Sequence, residues 1–144
     1  MLVSQVLKSK AAAGVVTIEP EASVAEAARL LSSKRIGTVV VTKDGKHAAG
    51  VLSERDIVRE VGKRGPTCLN DKVVDMMTRD PVVCVGTDTA DEVLSRMTEG
   101  RFRHMPVVEN GAMIGLITIG DVVKARLTEL SMEKDALEGM IMGH

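Results

Sequence analysis

Ala49-Gly50-Val51-Leu52-Ser53-Glu54-Arg55-Asp56-Ile57-Val58 and Ile114-Gly115-Leu116-Ile117-Thr118-Ile119-Gly120-Asp121-Val122-Val123 are two versions of one segment. In each, an apolar stretch ends on a hydroxyl residue with an aspartate three positions later. That spacing ahead of an apolar run marks a helix N-terminus. The surroundings repeat as well, which points to duplicated structural units. Val16-Thr17-Ile18 leads through Pro20 and Ser23 into Val24-Ala25-Glu26-Ala27-Ala28-Arg29-Leu30-Leu31. Val83-Cys84-Val85 leads through Thr87-Asp88-Thr89 into Ala90-Asp91-Glu92-Val93-Leu94-Ser95-Arg96-Met97. Lys34-Arg35-Ile36-Gly37-Thr38-Val39-Val40-Val41 has its counterpart in Gly100-Arg101-Phe102-Arg103-His104-Met105-Pro106-Val107, and a turn follows each.

Each half therefore reads β-α-β-β-α. The spacing predicts first strands over Val15–Ile18 and Val82–Val85, second strands over Thr38–Val41 and Met105–Val108, and third strands over Ala48–Leu52 and Met113–Ile117. Ser23 with Glu26 has capping-box spacing, and Asp88 or Thr89 serves the second helix. Val24, Ala27, Ala28 and Leu31 recur with helical period. Asp44-Gly45 and Asn110-Gly111 are hairpin signals, because their residues tolerate positive φ. The strands are apolar through their length, so both faces are expected to be covered. The fold class is α/β (α+β), with two units packed face to face on one shared core. Residues 1–66 are the first repeat, with a lead-in helix around Val3, Val6 and Leu7. Residues 67–127 are the second, with its lead-in at Val73-Val74-Asp75-Met76-Met77. Gly62-Lys63-Arg64-Gly65-Pro66-Thr67 connects them, and 128–144 form a helical tail.

Composition narrows the function. A chain of 144 residues buries roughly 68–70% of its unfolded surface and needs no disulfide or metal to fold. Its 19 basic and 20 acidic residues leave a net charge of −1, which argues against a nucleic-acid footprint or a polybasic membrane anchor. Phe102 is the sole aromatic, so stacking platforms for bases are excluded. Two cysteines, Cys68 and Cys84, make no disulfide framework and suit a reducing cytosol. Neither a membrane span nor a secretory signal is visible, so the expectation is cytoplasmic.

The lead-in Asp75-Met76-Met77-Thr78, the strand His104-Met105-Pro106-Val107-Val108 with Asn110-Gly111, and the two ends Leu52-Ser53-Glu54-Arg55-Asp56 and Ile117-Thr118-Ile119-Gly120-Asp121 resemble a tandem pair of CBS domains, often called a Bateman module. The resemblance covers residues 1–127. It implies two repeats related by a pseudo-two-fold axis, with two clefts between their sheets. It implies an adenosyl ligand in those clefts (AMP, ADP, ATP, NAD or S-adenosylmethionine) and a homodimer. It also implies a regulatory sensor that acts on a partner protein. No fused partner domain is seen in the chain, so a stand-alone protein is expected.

The candidate nucleotide contacts combine residue chemistry with that resemblance. Ser53-x-x-Asp56 and Thr118-x-x-Asp121 are helix caps by spacing alone. A helix start also offers amides and a positive dipole end to phosphate, and an aspartate there can accept from both ribose hydroxyls. Arg35 and Arg101 hold equivalent places and can grip phosphate in bidentate fashion. Lys34 and Arg103 read as plain surface charges. Thr38 and His104 are also equivalent, and the resemblance places adenine-side or phosphate-side contacts around His104, Met105 and Pro106. Thr17, Ile18, Cys84 and Val85 end the first strands, where the resemblance implies reading of the adenine edge. Ile18, Ile36, Val39, Val85, Met105 and Ile117 are candidates for an aliphatic clamp on the ring, and for ordinary core. Gly120 lets a ligand approach the backbone, which with Pro106 makes the Asp121 cleft the more typical. Arg55 is suited to extra phosphates at its own cleft.

No nucleotide-binding glycine loop or Walker motif is present, His47, His104 and His144 lack metal-ligand spacing, and no nucleophile, base and oxyanion site assembles. The expected protein is thus not an enzyme and has neither a catalytic cofactor nor a metal. It binds no nucleic acid and no membrane. The alternative is a ligand-free scaffold for dimerisation or for docking a partner, whose cleft polar groups pair among themselves. Val123, Leu127, Leu130, Lys134, Leu137 and Ile141 form a heptad-like stripe in the tail, suited to packing in cis or on a second subunit.

Overall fold

Ser23 and Thr89 each cap a helix: Ser23 Oγ accepts from the Glu26 amide and Thr89 Oγ1 from the Glu92 amide, both at 3.1 Å. These caps start the first helix of each repeat in a computed structural model that describes residues 1–10 and 15–142. In chain order the elements are α1 (Val3–Ser9), β1 (Thr17–Ile18), α2 (Val24–Lys34), β2 (Thr38–Val41), β3 (Gly50–Ser53) and α3 (Glu54–Arg64). A 3-10 turn (Pro66–Asn70) then precedes α4 (Val73–Met76), β4 (Thr78–Arg79), β5 (Cys84–Val85), α5 (Ala90–Gly100), β6 (His104–Glu109), β7 (Ala112–Thr118) and α6 (Ile119–Ile141). The fold is mixed α/β, and each repeat keeps the expected β-α-β-β-α order. The tail lies in α6 as far as Ile141; residues 143 and 144, with the His144 imidazole, lie outside the described residues.

β1 runs parallel to β2, and β2 antiparallel to β3. β5, β6 and β7 repeat that arrangement in a second sheet. β2 is buried along its whole length, as four apolar or β-branched residues covered on both faces require. The first sheet gains a fourth strand, β4, antiparallel to β3 with Gly50 opposite Arg79. Asn110 (φ 52°) and Gly111 (φ 79°) make the two-residue turn their sequence predicts. Asp44-Gly45 does not. It sits in a wider loop, where Asp44 Oδ1 accepts from the amides of Lys46 and His47 at 2.8 Å.

Two cores form in place of the one shared core expected, and each is completed by the other repeat's lead-in helix. Val3 and Val6 of α1 pack with Val93, Met97, Met105 and Ile117. Val73 of α4 packs with Val24, Leu31, Val39 and Leu52. A division of the chain at residue 66 follows chain order and not core membership.

Glycine is required where these helices close on the sheets. A Cβ on Gly50 would lie 2.5 Å from Met77 Sδ and 2.6 Å from the Thr78 carbonyl oxygen. At the equivalent Gly115, a Cβ would meet Leu7 Cδ2 at 2.9 Å, the flexible end of a side chain. Gly50→Ala is therefore expected to cost about 1–3 kcal/mol, because backbone has to move. Gly115→Ala should cost less, because Leu7 can turn aside. Urea midpoints at unchanged slope measure both.

Candidate functional site

β3 ends and α3 begins at Ser53, and the capping box there is closed on itself. The Ser53 hydroxyl accepts from the Asp56 amide at 3.2 Å and donates to Asp56 Oδ2 at 2.9 Å. The Ser53 amide donates to that same oxygen at 2.9 Å. Arg59 holds Oδ1 at 2.9 Å. The Glu54 amide donates to the Gly37 carbonyl at 2.9 Å, so the helix start keeps little free for an anion.

This corner walls a cavity of about 610 Å³ at the seam between the repeats, a volume in the range of small-molecule sites. Gly100–His104 form the opposite wall, and Asp80, Pro81 and Val82 close one side. Of the residues singled out from sequence, Thr38, Ser53, Arg55, Asp56, Arg101 and His104 line it. Arg59, Arg103 and Asp80 line it too, and sequence reasoning missed them. Arg59 lies one helical turn beyond Arg55, a signal available in the spacing. Arg103 was read as a surface charge, and nothing in the sequence marks Asp80. Four guanidinium groups thus face two carboxylates in one hollow.

Thr38 and His104, equivalent in the two repeats, meet across the seam with Oγ1 and Nδ1 3.2 Å apart. Burial lowers the pKa of the His104 imidazole, helped by the positive charges of Lys10 and Arg103. It is therefore neutral at pH 7 and offers one donor and one acceptor.

The second capping box is occupied from outside. Thr118 Oγ1 accepts from the Asp121 amide at 3.1 Å, and Asp121 Oδ2 accepts from the Thr118 amide at 2.9 Å. Lys10, at the end of α1, also places its ammonium 2.9 Å from Asp121 Oδ2 and donates to the Leu116 carbonyl at 2.9 Å. Burial alone raises the Asp121 pKa, but the Lys10 ammonium and the Thr118 bonds outweigh it and hold the carboxyl below its usual range. The carboxylate that sequence assigned to the more typical cleft already carries a cation, and Thr118, Gly120 and Asp121 line neither hollow described here. A Cβ on Gly120 would meet only Thr118 Oγ1, at 3.6 Å, so no close packing demands glycine there.

Other candidates lie apart from the cavity. Val39, Met105 and Ile117 are 0% exposed and belong to the cores, so they present no face for clamping a ring. The strand alternation that buries them turns Thr38 and His104 to the seam. Pro106 is buried, and its carbonyl faces the Cys84 thiol at 3.8 Å. Burial pushes that thiol up to about 12, which makes it unreactive at neutral pH. Thr17, Ile18 and Val85 do not line the cavity. Arg35 and Ile36 line a separate hollow of about 480 Å³ beside α2 and α3. Among the described residues no three His, Cys, Asp or Glu side chains stand together as metal ligands, and no helix is long and apolar enough to cross a membrane.

The duplicated units have counterparts among known proteins. A model of the CBS domain matches residues 3–63 and again 73–128. The chain belongs to the CBS domain family. This CBS pair is 32% identical to the mitochondrial CBS domain-containing protein CBSX3 of Arabidopsis thaliana, over 98% of this chain and 72% of the relative. Other plant relatives are longer, and the chain spans as little as 22% of their length. Among solved structures, a CBS-domain containing protein from Agrobacterium tumefaciens is 44% identical, with a TM-score of 0.83 over 88% of this chain and 99% of that one. A CBS domain protein from Pyrobaculum aerophilum, complexed with AMP, is 28% identical with a TM-score of 0.77, over 92% of this chain and 99% of that one.

The depressed His104 pKa has a consequence for stability. As pH falls past the ordinary 6.5, the unfolded chain takes up the proton before the folded one does. The contribution is therefore complete above about pH 6.5 and is lost as pH drops below it. Urea midpoints at about pH 7 and 5.5 should show a fall for the natural protein and a smaller one for His104→Gln.

Proposed function

We propose that this CBS pair is a regulatory sensor that binds an adenine nucleotide in the cavity between Ser53–Arg59 and Gly100–His104, and that this cleft favours ligands carrying more than one phosphate. The observation that carries the reading is the excess of guanidinium over carboxylate in a hollow of nucleotide size. Each added phosphate finds an arginine, and arginine pairs with phosphate in bidentate, charge-assisted fashion. Asp56, already oriented by Ser53, is the acceptor for the ribose hydroxyls. Arg59 must yield part of its hold, which leaves it free to turn to the phosphates. The AMP complex of the Pyrobaculum aerophilum protein supports an adenosyl ligand for the family. Binding changes how the two repeats pack only as far as the ligand prefers one arrangement over the other.

A second reading, a ligand-free scaffold, is favoured by one observation: Asp121 is already paired with Lys10 at the second capping box. Calorimetric titration with AMP, ADP, ATP and S-adenosylmethionine separates the two. Sensing predicts saturable binding, tighter for ATP than for AMP and weakened by salt. A flat heat signal for all four ligands would leave the scaffold.

Two variants assign the cleft. A hydrogen bond to a charged group contributes about 1.5–3 kcal/mol, so Asp56→Ala should weaken ATP binding about 10- to 150-fold. Asp121→Ala should weaken it far less, because its carboxylate is committed to Lys10. Arg101 holds a left-handed backbone (φ 57°) just past α5, a conformation glycine adopts without penalty. Arg101→Gly is thus expected to raise the melting temperature and weaken ATP binding together.

A further inference from the structure

The two capping boxes have the same backbone and unlike neighbours, and the difference lies in one side chain. Val51, Ser53 and Asp56 line the seam cavity along the run from β3 into α3. Strand register identifies the same three positions in the second repeat. Val51 pairs with Val40 and Ser53 with Thr38, whereas Leu116 pairs with Pro106 and Thr118 with His104. Leu116, Thr118 and Asp121 are therefore the counterparts. Lys10 bonds the first and last of them at once, its ammonium 2.9 Å from the Leu116 carbonyl oxygen and 2.9 Å from Asp121 Oδ2. A cation of the chain itself thus stands between groups whose equivalents face the hollow in the first repeat.

The first box has no such visitor. Asp80 holds the place of Lys10 there, seven residues after Val73 as Lys10 is seven after Val3, and its charge is opposite. Among the described residues the cation on Asp56 is Arg59, which comes from the next turn of the same helix with its side chain 52% exposed. Lys10 arrives from another element with its side chain 26% exposed, and α1 behind it is pinned by Val3 and Val6 in the core. The backbone at the second box is engaged as well. The Ile119 amide donates to the Arg103 carbonyl at 2.9 Å, and the Asp121 amide to Thr118 Oγ1. A neutral sugar hydroxyl makes a weaker bond to a carboxylate than an ammonium does, so it does not displace this lysine. We propose that Lys10 is a built-in occupant of the second repeat's site, an internal cation that shuts it to a nucleoside and leaves the seam cavity as the place that loads.

The proposal rests on the nucleotide reading of the seam cavity, and counting sites separates the two. Calorimetric titration of the full chain with ATP should give one site per chain for the natural protein and two for Lys10→Met. The ion pair is partly exposed, so its loss leaves the fold in place, which an unchanged melting temperature checks. Lys10→Arg keeps the cation, and Lys8→Met removes an exposed charge from the same helix; each should stay at one site. Adding Asp121→Ala to Lys10→Met should weaken the new site about 10- to 150-fold and spare the first. Two sites in the natural protein, or the natural stoichiometry in Lys10→Met, would overturn the role given to Lys10. No site in the natural protein but one in Lys10→Met would uphold that role and remove the seam-cavity reading instead.

Discussion

Each repeat depends on an apolar helix that the chain delivers from in front of the other repeat. Val3 and Val73 are both 0% exposed, and each sits in the core of the repeat that does not follow it. Main-chain bonds fasten the exchange. The Val3 amide donates to Asp88 O at 2.9 Å and the Ser4 amide to Gly86 O at 3.0 Å. On the other side, the Val24 amide donates to Asp71 O and the Val73 amide to Ala22 O, both at 2.8 Å. Without its guest helix, each sheet would leave a strip of valine and leucine in water, at about 1.5–3 kcal/mol for every large side chain uncovered. Neither unit is complete alone, and this is why the repeats come as a pair.

The exchange also decides what each cleft contains. α1 ends at Lys10, and α4 is followed, at the equivalent distance, by Asp80. The two crossings therefore deliver opposite charges to the two capping boxes. Lys10 neutralises Asp121. Asp80 joins Asp56 in lining a hollow that four arginines also line. A pseudo-two-fold backbone thus carries electrostatically unlike sites, and the difference arises as much from the lead-ins as from the capping boxes that the sequence displays most clearly.

Features governed by neighbours in the chain were legible before the structure. Thr38–Val41 reads as a covered strand because every residue is β-branched. The Ser53/Asp56 and Thr118/Asp121 boxes read as helix starts because their bonds span three residues. What depends on tertiary contact was not legible. β4 is two residues long with no periodicity, and exists because α4 sets Thr78 against β3. The Asp44-Gly45 turn failed because the Asp44 carboxylate serves two loop amides and holds the connection open. The far wall of the cavity, with Arg103, and the side closed by Asp80 come from beyond the first repeat. Chain spacing carries no information about it.

The backbone itself marks where local preference gives way. Among the described residues, four that are not glycine hold positive φ: Arg35, Asp80, Arg101 and Asn110. Asn110 is ordinary in its hairpin turn. Arg35 and Arg101 end α2 and α5 at equivalent places, with φ of 54° and 57°, where helices usually place glycine. A left-handed arginine costs about 1–2 kcal/mol, and the chain bears that cost in both repeats. Asp80 and Arg101 both line the seam cavity, and Arg35 lines the neighbouring hollow. If stability alone shaped these three positions, glycine or asparagine would hold the same turns with less strain. The charged side chains are what such a replacement would remove, two guanidinium groups and one carboxylate, and all three line a hollow. The conflict between backbone preference and side-chain charge falls at the hollows and, among the described residues, is otherwise confined to one asparagine turn.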